Sequence, residues 1–80
     1  MPVQVGHRLN PTAKVVKVGG NAMFFIGGTR LLCVRGPLVE NELLPLLAEL
    51  DGSGLKASSL AGPRGGLTET LWQCGLLVDD

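Results

Sequence analysis

Tyrosine is absent from these 80 residues, His and Trp occur once each, and Cys occurs twice. An excess of charge of either sign is also missing, with Lys+Arg 7 against Asp+Glu 7. That balance removes the electrostatic footprint of a general nucleic-acid binder. No apolar run approaches the ~20 residues that cross a bilayer. The opening Met-Pro-Val-Gln-Val-Gly-His-Arg lacks the charged start and apolar stretch of a secretory signal, so a cytoplasmic protein with no membrane partner is expected. Cys33 and Cys74 stand far apart and His7 lies outside any ligand spacing, which leaves neither a zinc cluster nor a Cys-x-x-Cys pair. Two buried free thiols are expected, because a disulfide would need an oxidising compartment. A chain this short buries only ~60% of the surface its unfolded form exposes, too little depth for a preorganised catalytic pocket. A noncatalytic protein without cofactor or metal follows. The hydrophobic share, 45%, against 18% charged residues, excludes a disordered tail and fits one domain over residues 1–80.

The chain reads in two grammars. Pro2 to Thr12, with Asn10-Pro11 biased to extended backbone, is a lead-in segment and not a helix. Ala13 to Val18 interleaves Val15, Val16 and Val18 with Lys14 and Lys17, which predicts a strand. Gly19-Gly20-Asn21 turns it, Ala22 to Ile26 makes a second strand, Gly27-Gly28-Thr29 turns again, and Arg30 to Arg35 makes a third. The three form an antiparallel meander. Gly36-Pro37 then opens a helix, since proline suits a first helical turn. Leu38, Val39, Leu43, Leu44, Leu46, Leu47 and Leu50 make its broad apolar stripe, with Glu40, Glu42 and Glu49 toward water. Pro45 predicts a kink in it before its end near Asp51-Gly52. A short second helix is expected over Ser53 to Ala61, then an interruption at Gly62-Pro63-Arg64-Gly65-Gly66. Leu67 to Leu77 is the final helix, burying Leu67, Leu71, Cys74 and Trp72 and losing regularity at Gly75. The fold class is thus α+β, a winged helix-turn-helix with a three-stranded antiparallel sheet followed by three helices.

Particular segments add specificity: His7-Arg8-Leu9-Asn10-Pro11, the paired strands, Arg35-Gly36-Pro37-Leu38, Leu-Leu-Ala-Glu-Leu-Asp-Gly ending at Gly52, and Leu71-Trp72-Gln73-Cys74-Gly75-Leu76-Leu77. Together they resemble the RiPP recognition element, the domain that holds the leader of ribosomally synthesised, post-translationally modified peptides. The version most similar stands at the start of ThiF-like or cyclodehydratase partner proteins of thiazole/oxazole-modified peptide and thiopeptide biosynthesis. The resemblance implies a free-standing domain or the start of a larger biosynthetic protein. Its implied partners are a precursor leader peptide and a YcaO-type or other modifying enzyme. It further implies that the leader adds as a strand beside the third strand and packs against the last helix. Unpaired edge groups supply the affinity and a neighbouring groove the selectivity. Mapped onto this chain, the edge is Arg30, Leu31, Leu32, Cys33, Val34 and Arg35, and the opposite wall is Leu67, Thr68, Leu71 and Cys74. Alternation allows either Leu32 with Val34 or Leu31 with Cys33 to face the groove. Arg30 and Arg35 could each clamp an acidic leader residue or serve as solvated rim charge. Pro45 and the glycine-rich Ala61 to Gly66 depart from the family pattern and unsettle the second helix, not the peptide-bearing strand.

Sharper chemistry does not assemble elsewhere. Trp72 fits packing better than ligand contact. Phe24 and Phe25 are adjacent on a strand, so one joins the core and the other is free to meet a larger enzyme or a second copy. Neither glycine pair leads into a helix with a Lys-Ser/Thr end, so they are turn glycines and not phosphate loops. Ser58-Ser59 and His7 lack a carboxylate to orient the imidazole and an oxyanion loop, which rejects a hydrolase. A DNA-binding winged helix is the rival reading, but the final helix offers Thr68, Glu69, Thr70 and Gln73 and no basic residue. A structural domain that forms a homodimer through its sheet edge is the third.

Overall fold

A computed structural model describes residues 3–79; Pro2, where the expected lead-in begins, and Asp80, at the chain's end, lie outside them. The architecture is α+β. Three strands, β2 (Ala13–Val18), β3 (Asn21–Ile26) and β4 (Thr29–Val34), form an antiparallel sheet in that order. Both connections are glycine pairs with φ of 58° and 84° at Gly19-Gly20 and 59° and 80° at Gly27-Gly28. Positive φ at both central residues is what a two-residue hairpin needs to match the strand twist, and glycine adopts it without steric cost. The expected meander is therefore present.

Strand parity decides which residues build the core. Val15, Phe24 and Leu32 lie opposite one another on one face, as do Ala22 and Val34, and this face is covered by the helices. Phe24 and Ala22 are fully buried there. The covering helix runs as a π-helical turn, Val39–Leu43, leading directly into α1 (Leu44–Asp51). Val39, Leu43, Leu46 and Leu50 recur at helical spacing and are all buried. Leu38, expected on the same stripe, stays exposed. The predicted kink at Pro45 takes the form of that π turn. Pro45 has no N–H and its ring crowds the carbonyl one turn back, and the helix widens just ahead of it, with the Leu44 N–H donated to the Val39 carbonyl.

Among the described residues two α-helices are found where three helices were expected. Ser53 to Ala61 holds only a single 3-10 turn, Ala57–Leu60, because glycines at 52 and 54 leave no room for a longer run. The final helix, α2 (Gly62–Gln73), starts within the glycine-rich stretch read as an interruption. Pro63 occupies the first turn, where its missing donor costs nothing. Gly65 lets that turn sit against Leu60, whose carbonyl oxygen would be 2.9 Å from an added Cβ. The same helix stops at Gln73 and not at Leu77. Gly75, φ 78°, turns the chain left-handed, its N–H bonds the Trp72 carbonyl, and the Leu76 N–H bonds that of Leu71. This is a Schellman closure.

Leu77–Val78 consequently forms a strand, β5, antiparallel to β1 (Arg8–Leu9). The segment read as a mere lead-in is thus a central tie. Gly6 N–H bonds the Leu55 carbonyl at 2.8 Å, Leu55 N–H bonds that of His7 at 2.9 Å, and Asn10 N–H bonds that of Leu76 at 2.8 Å. Arg8 also donates to the Gly52 carbonyl. No helix among the described residues is long and apolar enough to cross a membrane.

Candidate functional site

The sheet ends on β4. Its inner neighbour is β3, and no described strand pairs with its other side. Register along β3 sets Phe25 opposite Arg30 and Phe24 opposite Leu32, so Leu31 is an extra, unpaired residue at a bulge. A bulge interrupts a ladder and re-aims side chains. It leaves Leu32–Val34 as the regular part of the edge. The other border of the sheet, β2, is open as well and carries Lys14 and Lys17.

Parity resolves which β4 residues face the helices. Leu32 packs on the core and Val34 is buried in it, whereas Cys33 lies opposite Met23 on the far face. Arg30, Leu31 and Arg35 are exposed. Among the described residues neither Arg30 nor Arg35 forms an ion pair.

The expected opposite wall is divided. Leu67, Thr68 and Leu71 are 7%, 0% and 0% exposed, so they belong to the closed core and no ligand reaches them without opening it. The Thr68 hydroxyl donates to the Gly65 carbonyl of its own helix. Cys74, half-buried just past the end of α2, does meet the edge strand: its Sγ lies 3.8 Å from the Leu31 carbonyl oxygen. Leu67 and Leu71 share the closed core with Val34, and Cys74 is the wall residue that reaches the bulge of β4. Both cysteines are free, and they are half-buried instead of buried, because Cys33 sits on the uncovered face of the sheet and Cys74 at a helix end.

His7 proves to be a structural residue. Its ring, 3% exposed, stacks on Trp72 with centroids 4.6 Å apart and planes at 8°. Nδ1 accepts the Gln4 backbone N–H at 3.1 Å. Nε2 lies 2.7 Å from Asp79 Oδ1, close enough for an ion pair but without hydrogen-bond alignment. A carboxylate therefore does stand beside the imidazole, contrary to the sequence reading, delivered by the β1–β5 pairing that local pattern could not reveal. Nδ1 is thus committed to the backbone, while Nε2 faces Asp79 from a buried ring. Trp72 is accordingly a packing residue.

α2 includes Arg64, so the final helix is not wholly without basic residues. Its Nε donates to Glu42 Oε2 at 2.8 Å, which ties α2 to the π turn.

No family model, curated protein or solved structure matches this chain.

Proposed function

We propose that this domain, read as a winged helix-turn-helix of the RiPP recognition kind, holds the leader of a ribosomally made precursor peptide as an added strand on β4. It presents the rest of that peptide to a YcaO-type or other modifying enzyme and performs no catalysis itself. The observation that carries this reading is the border of the sheet: β4 pairs with β3 on one side only, while the end of α2 stands beside it at Leu31. Backbone groups on an open edge gain partners when another chain pairs with them, and adjacent side chains then select the sequence. β2 is open too, but it carries Lys14 and Lys17, one on each face, and lysine on an edge strand is a common guard against pairing.

The bulge limits the ladder. The leader pairs along Leu32–Val34 and leaves the strand at Leu31, where its side chains meet Leu31 and Cys74 and not the buried Leu67, Thr68 and Leu71. Arg30 and Arg35, exposed and without an ion pair among the described residues, flank that stretch and are able to hold carboxylates. A winged-helix DNA reader is less well supported, since the one arginine of α2 is already engaged by Glu42.

Titration of the isotope-labelled protein with synthetic candidate leader peptides tests the proposal. Amide shifts should concentrate on Leu31–Arg35 and Cys74. Shifts confined to other elements would reject the edge. A dimer that forms without peptide and protects the same amides would favour self-pairing, and a salt-sensitive shift of duplex DNA would favour the rival.

A further inference from the structure

Net neutrality conceals a separation of charge. Five of the seven basic residues, Arg8, Lys14, Lys17, Arg30 and Arg35, precede Glu40, and all seven acidic residues lie from Glu40 onward. The sheet and its turns therefore carry positive charge alone, while the helical layer is acidic.

The helices cover only one face of that sheet. On the other, register aligns Lys14, Phe25 and Arg30 in one cross-strand row and Val16, Met23 and Cys33 in the next, with Val18 beyond. Val16 is 42% and Val18 53% exposed, and Met23, Phe25 and Cys33 are half-buried. A shallow cavity of about 490 Å³ opens here, lined by Thr12, Lys14, Val16, Phe25, Gly27 and Gly28. Among the described residues Lys14 and Arg30 have no acidic partner.

We propose that this open sheet face is a docking surface for an acidic polypeptide that bears apolar side chains, separate from the β4 edge. An aromatic, a thioether and two valines framed by unpaired cations match the composition of an interface centre with a polar rim. Charge selects the occupant. A second copy stacked face to face would set the Lys14 and Arg30 rows against their own kind, and stacking the face on the acidic helical layer of another copy would propagate without closing. A membrane would require protruding apolar side chains, whereas Phe25 and Met23 lie half-buried along the sheet. Single-stranded nucleic acid stacks on successive aromatics, and this face has one. Three short strands spaced ~4.8 Å apart offer well under the ~800 Å² per partner of a standard interface, so binding is weak unless the partner is held nearby.

The test uses the full chain, isotope-labelled, and two synthetic amphipathic peptides with the same Leu and Phe positions, one with Glu and one with Lys on the polar face. The Glu peptide should shift amides of Val16, Met23 and Phe25, and the Lys peptide should not. The exposed charge-reversal pair Lys14→Glu with Arg30→Glu should weaken the Glu peptide about tenfold without altering the fold. Phe25→Ser should weaken it independently of charge. Equal binding of both peptides, no binding of either, or shifts confined to β4's edge and Cys74 would overturn the proposal. So would binding of phosphatidylserine vesicles or oligouridylate in place of the Glu peptide. Because leader titration reports on Leu31–Arg35 and the open face is read at Val16, Met23 and Phe25, on β2 and β3, loss of one site leaves the other measurable.

Discussion

The two faces of the sheet are built from the same strands and differ in how far they are covered. Ala22, Phe24 and Val34 point one way and are closed under helices; Val16, Met23 and Phe25 point the other and stay open. Side-chain chemistry hardly separates them, since each face carries a phenylalanine and a β-branched residue in neighbouring rows. Cover separates them. Hydrophobic content in this chain is therefore not all enclosed by the fold, and the uncovered share coincides with Lys14 and Arg30, which have no acidic partner among the described residues.

The sharpest way to break that comparison is to truncate the adjacent aromatics in turn. Phe24→Ala empties a fully buried site and should cost about 3–5 kcal/mol, enough to unfold much of a domain this small. Phe25→Ala should cost only about 1 kcal/mol, since its ring is already partly in water. Urea unfolding of the two variants measures both. Equal losses would mean the open face supports the fold as much as the covered one.

The covered side was largely legible in the sequence, and the reason is periodicity. Glycine pairs marked both hairpins, and the spacing of Val39, Leu43, Leu46 and Leu50 marked the covering helix. Three features escaped. The β1–β5 pairing joins two-residue strands at opposite ends of the chain, too short to carry a period. The first turn of α2 looked like a breaker because glycine and proline disfavour a helix interior, yet Pro63 at the start and Gly65 against Leu60 serve the helix there. The burial of Leu67, Thr68 and Leu71 depends on packing that a helical stripe cannot distinguish from a groove wall. One signal stands in the sequence without any pattern of spacing: no acidic residue precedes Glu40.

A second prediction concerns how the covered side is tied together. Gly54, φ 93°, lies so close to the N-terminal segment that an added Cβ would be 2.8 Å from the Gly6 carbonyl oxygen. The paired hydrogen bonds of Gly6 and His7 with Leu55 depend on that approach. Gly54→Ala should cost about 1–3 kcal/mol through combined backbone strain and displacement. Gly20→Ala shares the positive φ of 84° but meets nothing within 4 Å, so only the strain of about 1–2 kcal/mol applies. Thermal melts of the pair separate crowding from conformation. Were Gly20→Ala the costlier change, the tie between the lead-in and Leu55 would not be what secures the covered side.

The smallest effect tests whether charge holds the helical layer as it marks the sheet. Arg64 and Glu42 join α2 to the π turn at 2.8 Å, but their side chains are 32% and 25% exposed, so water screens them and rotamer entropy opposes them. A double-mutant cycle with Arg64→Gln and Glu42→Gln should return a coupling of about 0.5–1 kcal/mol. That coupling should shrink as salt is added, because the pair is not sealed from solvent. A larger, salt-insensitive coupling would make the pair a buried anchor of the two helices. The acidic helical layer would then be held by an internal cation, and the contrast with the unpaired Lys14 and Arg30 on the open face would become one of engaged against available charge.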